Sequence, residues 1–104
     1  MAAYYGGEGV TETPGAALTF TLNQNYPNPF NPSTQIEFIL PGELKVDLKV
    51  YNILGQEVAT LLNETLTPGR HSVTFNAGNL ASGVYIYRIN AGGYTSAKSM
   101  LLLK

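Results

Sequence analysis

From Leu18 onward the apolar side chains recur at every second position rather than every third or fourth. That period describes strands with one face buried and the other in water. "KVDLKVYN" is the cleanest instance: Val46, Leu48 and Val50 alternate with Lys45, Asp47 and Lys49. In "QIEFIL", Ile36, Phe38 and Leu40 point inward while Gln35 and Glu37 point outward. "LTFTL" puts Leu18, Phe20 and Leu22 on one face. "QEVATLL", "RHSVTFN", "GVYIYRIN" and "YTSAKSMLLL" complete a series of seven short strands. Helical periodicity extends over no useful length.

The breaks between the strands carry turn chemistry. Pro41-Gly42 separates the second and third strands, and Gly55 in "NILGQ" supplies a positive φ for a bulged hairpin. Pro68-Gly69 fits the central positions of a type II turn, and "NAGGY" is a further glycine hairpin. Seven strands with turns between them and no crossover helices predict an all-β fold, an antiparallel immunoglobulin-like β-sandwich. Residues 18–104 form that domain; residues 1–17, rich in Gly, Ala and Thr, read as a tail or linker. In the tail, Tyr4, Tyr5 and Val10 are the side chains able to anchor it on this copy or on a neighbour.

Composition closes off several functions. The chain is 44% apolar and 12% charged, with a formal net charge of −1 and no basic run. It therefore lacks the electrostatic footprint of a nucleic-acid binder. No apolar run is long enough to cross a bilayer as a helix. Without cysteine there is no disulfide framework and no thiolate metal site. No cofactor is implied. The opening "MAAYYGGEGV" lacks the charged and apolar regions of a secretory leader, so an exported protein ending in this chain is expected to carry its leader upstream.

Catalytic constellations are equally sparse. His71 is the one histidine, on a strand face with Val73 and Phe75, and Asp47 is the one aspartate. A Ser-His-Asp triad would need these two to converge, and no Gly-x-Ser-x-Gly elbow is present. Glu37, Asp47 and Glu57 occupy outward strand positions, where solvated faces explain them. Tyr85 and Tyr87 share a face with Ile89; this stripe is either core or a sugar-binding platform.

One stretch departs from the alternation. "NQNYPNPFNP" places Pro27, Pro29 and Pro32 just before a strand. None of the three can donate to a sheet ladder, and each drives its predecessor toward extended geometry. Tyr26 to Pro32 is thus expected to run extended and unpaired, with Asn28 and Asn31 making local Asx turns and with Tyr26 and Phe30 packed on the sandwich. Leu80, alone in "FNAGNLASGVY", is expected to plug one end of the core.

Taken together, "LNQNYPNPFNPSTQIEFILP", "VYNILGQEVATLLNE", "PGRHSVTFNAGNLASGVYIYRI" and "KSMLLLK" resemble the C-terminal sorting domains of type IX secretion substrates. The resemblance spans Leu18 to Lys104. It implies a non-catalytic module at the end of a secreted cargo, recognised by an outer-membrane translocon after passage through the periplasm of a Gram-negative bacterium. It also implies removal by a sortase, with a cut near residues 10–18, and delivery to the cell surface or medium. The family's recognition elements fall on Pro27, Asn28, Pro29 and Phe30, on Gly83, Val84 and Tyr85, and on Lys98 with Met100, Leu101, Leu102, Leu103 and Lys104. The alternative is a structural module that assembles with copies of itself. In that reading Tyr4, Tyr5 and Val10 belong to a strand that the tail donates to a neighbouring sheet edge, giving a filament.

Overall fold

The computed structural model describes residues 18–104, and these form seven strands and no helix. The strands are β1 (Thr21–Leu22), β2 (Ser33–Leu40), β3 (Leu44–Tyr51), β4 (Glu57–Leu66), β5 (Gly69–Asn76), β6 (Gly83–Ala91) and β7 (Tyr94–Leu102). They pair antiparallel in two sheets, β1-β2-β5 and β4-β3-β6-β7. The chain changes sheet after β2, after β4 and after β5, so the two layers are interlocked by connections rather than built one after the other.

The predicted alternation sets the core. Ile36, Phe38 and Leu40 of β2 and Phe75 of β5 face Val46, Leu48 and Val50 of β3 and Tyr87, Ile89 and Ala91 of β6. Most of these are wholly excluded from water. Each such aliphatic or aromatic side chain contributes about 1.5–3 kcal/mol by burial. Leu80 is half-buried and packs on this cluster from the loop between β5 and β6, as its isolation among polar residues predicts.

β4 departs from strict alternation for a geometric reason. Opposite Leu48 and Lys49 stand Leu62 and Thr60, so Leu61 is an extra residue. Opposite Val50 and Tyr51 stand Ala59 and Glu57, so Val58 is another. These two bulges turn the apolar doublets Val58-Ala59 and Leu61-Leu62 toward the core, where a regular strand would expose one member of each.

The hairpins follow the glycines. Gly92 and Gly93 take φ of +60° and +137°, making the two-residue link between β6 and β7, and a Cβ on Gly92 would collide with the Leu44 side chain. In the β3–β4 hairpin, Gly55 has φ +82° and Asn52 Oδ1 accepts from Leu54 N and Gln56 N at 2.9 and 3.0 Å. The tip is thereby fixed with Ile53 and Leu54 exposed to water.

Candidate functional site

The run before β2 is held by buried polar groups. β1 pairs Leu22 with Phe38, and the next residue, Asn23, donates its N–H to Glu37 O at 2.9 Å. Tyr26 then pairs with Gln35 through two backbone bonds of 3.0 and 2.9 Å. Two residues, Gln24 and Asn25, therefore stand opposite the single Ile36, a bulge that turns Asn25 into the core. There Asn25 Nδ2 donates to Thr34 Oγ1 at 3.0 Å and Pro27 O at 3.1 Å. Its backbone N–H donates to Tyr87 Oη at 2.8 Å, and that hydroxyl donates on to Asn23 O at 2.7 Å. Tyr87 thus ties the four-stranded sheet to the run. Its burial pushes the phenol up to about 12, with the Asn25 amide opposing.

The run next closes on the edge of β7. Asn28 Oδ1 accepts from Leu101 N at 3.0 Å. Phe30 N donates to Leu101 O at 2.9 Å, and Leu103 N donates to Phe30 O at 3.0 Å. Gln24 Nε2 reaches Ser99 O at 2.7 Å. An edge strand leaves every second residue's N–H and C=O pointing outward. From Ser99 O to Leu103 N those groups are met by two amide side chains, Gln24 and Asn28, and a single parallel bridge at Phe30–Leu102. Phe30 itself sinks into the core, its ring 6.1 Å from Phe75.

The glycine-tyrosine element approaches the same corner. Val84 lies opposite Leu101 in the β6–β7 ladder. Tyr85, one step on, buries its ring and donates its hydroxyl to Ala81 O at 2.7 Å, four residues back. This is the tyrosine corner of immunoglobulin-like sandwiches, which pins the loop entering a central strand. Lys104 fastens the loop from the other side: Nζ donates to Gly78 O and Leu80 O at 2.7 and 2.8 Å, and its N–H to Ser82 Oγ at 2.9 Å. Lys98 stands opposite the inward Tyr87, half-buried on β7. An inward charge on an edge strand disfavours further sheet growth there.

Three sequence-distant elements thus meet around Leu101. Burial divides them. Phe30, Tyr85, Met100 and Leu102 are in the core, whereas Pro27, Asn28, Pro29, Val84, Leu103 and Lys104 are exposed and Gly83, Lys98 and Leu101 are half-buried.

Four expectations need correction. The run is not unpaired: Tyr26 and Phe30 both bridge to strands, because proline removes donors only at its own positions. Tyr26 does not pack on the sandwich; the bulge directs it outward and leaves it 82% exposed. Asn28 bonds across to Leu101 rather than locally. Tyr85 and Tyr87 offer no sugar platform, being core residues at 7% and 0% exposure. The anchoring Asn25 was not singled out from sequence; its signal was an amide placed two residues before a proline and nine before a threonine.

His71 and Asp47 belong to different sheets. His71 lies on β5, stacked 5.5 Å from Phe38, with Nε2 2.7 Å from Thr67 O, whereas Asp47 lies on the outer face of β3. Glu57 is solvent-exposed and its carboxyl is held below the ordinary value by the Thr60 hydroxyl and then by Lys49. Among the described residues no helix is long and apolar enough to cross a membrane. Tyr4, Tyr5, Val10 and most of the stretch assigned to cleavage lie outside the described residues.

Residues 24–103 match the family model described as "Secretion system C-terminal sorting domain". No curated protein matches the chain.

Proposed function

Because the chain belongs to the family of secretion system C-terminal sorting domains, we propose that the water-facing part of its converging motifs is the surface read by the secretion machinery. The domain is a sorting signal of type IX secretion, and its cargo goes to the cell surface or the medium of a Gram-negative bacterium. The family is in general non-catalytic, and we take this chain to be so. Within it, Phe30, Tyr85, Met100 and Leu102 keep the fold. Pro27, Asn28, Pro29, Val84, Leu101, Leu103 and Lys104 form the outer-membrane translocon's contact. A sortase then cuts upstream, near residues 10–18, and releases the cargo that preceded the domain.

The observation carrying this reading is the convergence of three motifs, far apart in sequence, on Leu101. A recognition surface assembled by folding requires the fold, and the buried half of each motif supplies it.

The test is a fusion of a secretory leader, a fluorescent protein and residues 18–104 in a host with an intact type IX system. The parent fusion is expected in the medium or on the surface, and a fusion lacking Met100 to Lys104 in the periplasm. The double variant Val84→Ser/Leu103→Ser is expected to keep its melting temperature, since exposed substitutions shift stability by about 0.5 kcal/mol or less, and to lose export. Export of that variant at the parent level overturns the assignment of the surface. Retention of a folded parent fusion overturns the sorting function itself.

A further inference from the structure

The register places a polar lattice on the outer face of the three-stranded sheet. Tyr26 stands opposite Gln35, which pairs with Thr74. One step along, Asn23 stands across from Glu37, which pairs with Ser72. Between Asn23 and Tyr26 the bulge opens a cleft of about 490 Å³, within the roughly 300–1,000 Å³ typical of small-ligand sites. An exposed tyrosine flanks it, beside the ring of Pro27.

The polar groups are fixed yet incompletely used. Glu37 Oε1 accepts from Asn23 Nδ2 at 3.0 Å and is paired with Arg70 Nη1 at 2.8 Å. Its second oxygen has no hydrogen-bond partner among the described residues. Ser72 Oγ donates to Gln35 Oε1 at 2.8 Å, leaving the Gln35 amino group free in the same sense. Asn23 Oδ1 and Gln24 Oε1 are likewise acceptors with unused capacity among the described residues. The cleft therefore offers several acceptors and amide N–H donors on side chains already held by neighbours, and beside them the face of an exposed phenol. Because Arg70 balances Glu37, the floor carries no net charge and selects neither an anion nor a cation.

We propose that this cleft binds a neutral saccharide. A pyranose presents a C–H face suited to the Tyr26 ring and adjacent hydroxyls that both donate and accept, matching the carboxylate and amides at its floor. The Tyr85–Tyr87 stripe has neither property, since both rings are buried.

The test is a ¹⁵N–¹H NMR titration of the full 104-residue chain with maltotriose, cellotriose, mannotriose and N,N′,N″-triacetylchitotriose, and with 3′-sialyllactose as an acidic comparison. At least one neutral trisaccharide is expected to give saturable shifts at the amides of Tyr26, Gln35, Glu37 and Ser72, with Kd in the range of about 1 mM. Tyr26→Ala is expected to weaken that binding about tenfold. Its melting temperature stays at the parent value, because the ring is in water. Absence of saturable shifts with all four neutral sugars overturns the proposal, as does binding confined to sialyllactose or binding unchanged in Tyr26→Ala.

Discussion

Replacing Tyr87 by phenylalanine isolates the contact that ties the run to the four-stranded sheet. The ring is fully buried and is retained, so no cavity larger than a hydroxyl forms. What disappears is the oxygen that accepts from Asn25 N at 2.8 Å and donates to Asn23 O at 2.7 Å. The Asn25 N–H then remains buried without a partner, at a cost of about 1–3 kcal/mol. Asn23 O is nearer the surface and recovers water, so the second bond adds little. The expected loss is about 2 kcal/mol. A domain of this size shifts by about 4–8 °C per kcal/mol, so Tyr87→Phe should melt roughly 8–16 °C below the parent at pH 7 in calorimetry. The hydroxyl also gives the parent an alkaline limb. Its native value of about 12 exceeds the ordinary 10.0, so the unfolded chain loses the proton first as pH rises. The stability difference arising from this group is complete below about pH 10 and is lost between about pH 10 and 12. The variant lacks that loss, and the gap between the two proteins should narrow over the same window. A variant melting within about 3 °C of the parent at pH 7 would refute the account of Asn25 as a buried donor dependent on Tyr87.

Phe30→Ala, emptying a core site against Phe75, should cost about 3–5 kcal/mol, much of the 5–15 kcal/mol available to a small domain, as read by urea denaturation. Asn28→Ala should cost only about 0.5–1.5 kcal/mol. Native-state hydrogen exchange should nevertheless speed up at Leu101 N–H while Leu103 N–H, bonded to Phe30 O, keeps its protection. Tyr85→Phe, which frees Ala81 O at a partly solvated corner, should lower stability by about 1 kcal/mol, measured by thermal melting.

Period two was sufficient to place six of the seven strands and nearly every core side chain, because a strand half in water writes its burial directly into its sequence. β4 was less regular because each bulge inserts a residue without a partner, and two apolar doublets hide that insertion in an otherwise plausible strand. The run around Pro27 was legible as stiff and irregular, and Phe30 as a packing residue. Its pairing with β7 was not, because a bond between Asn28 and a backbone amide far along the chain leaves no periodic trace. Asn25 was opaque for the same reason. A buried amide looks in sequence like any loop asparagine until the tyrosine and threonine that satisfy it are brought beside it. The consequence is functional as well as structural. The motifs mix residues that fold the corner with residues that face water, and burial in the folded domain separates Phe30 from Pro29, Tyr85 from Val84, and Leu102 from Leu103. Loss of export in a buried member is therefore uninformative about recognition unless stability is measured alongside, whereas loss in an exposed member at unchanged stability identifies a contact.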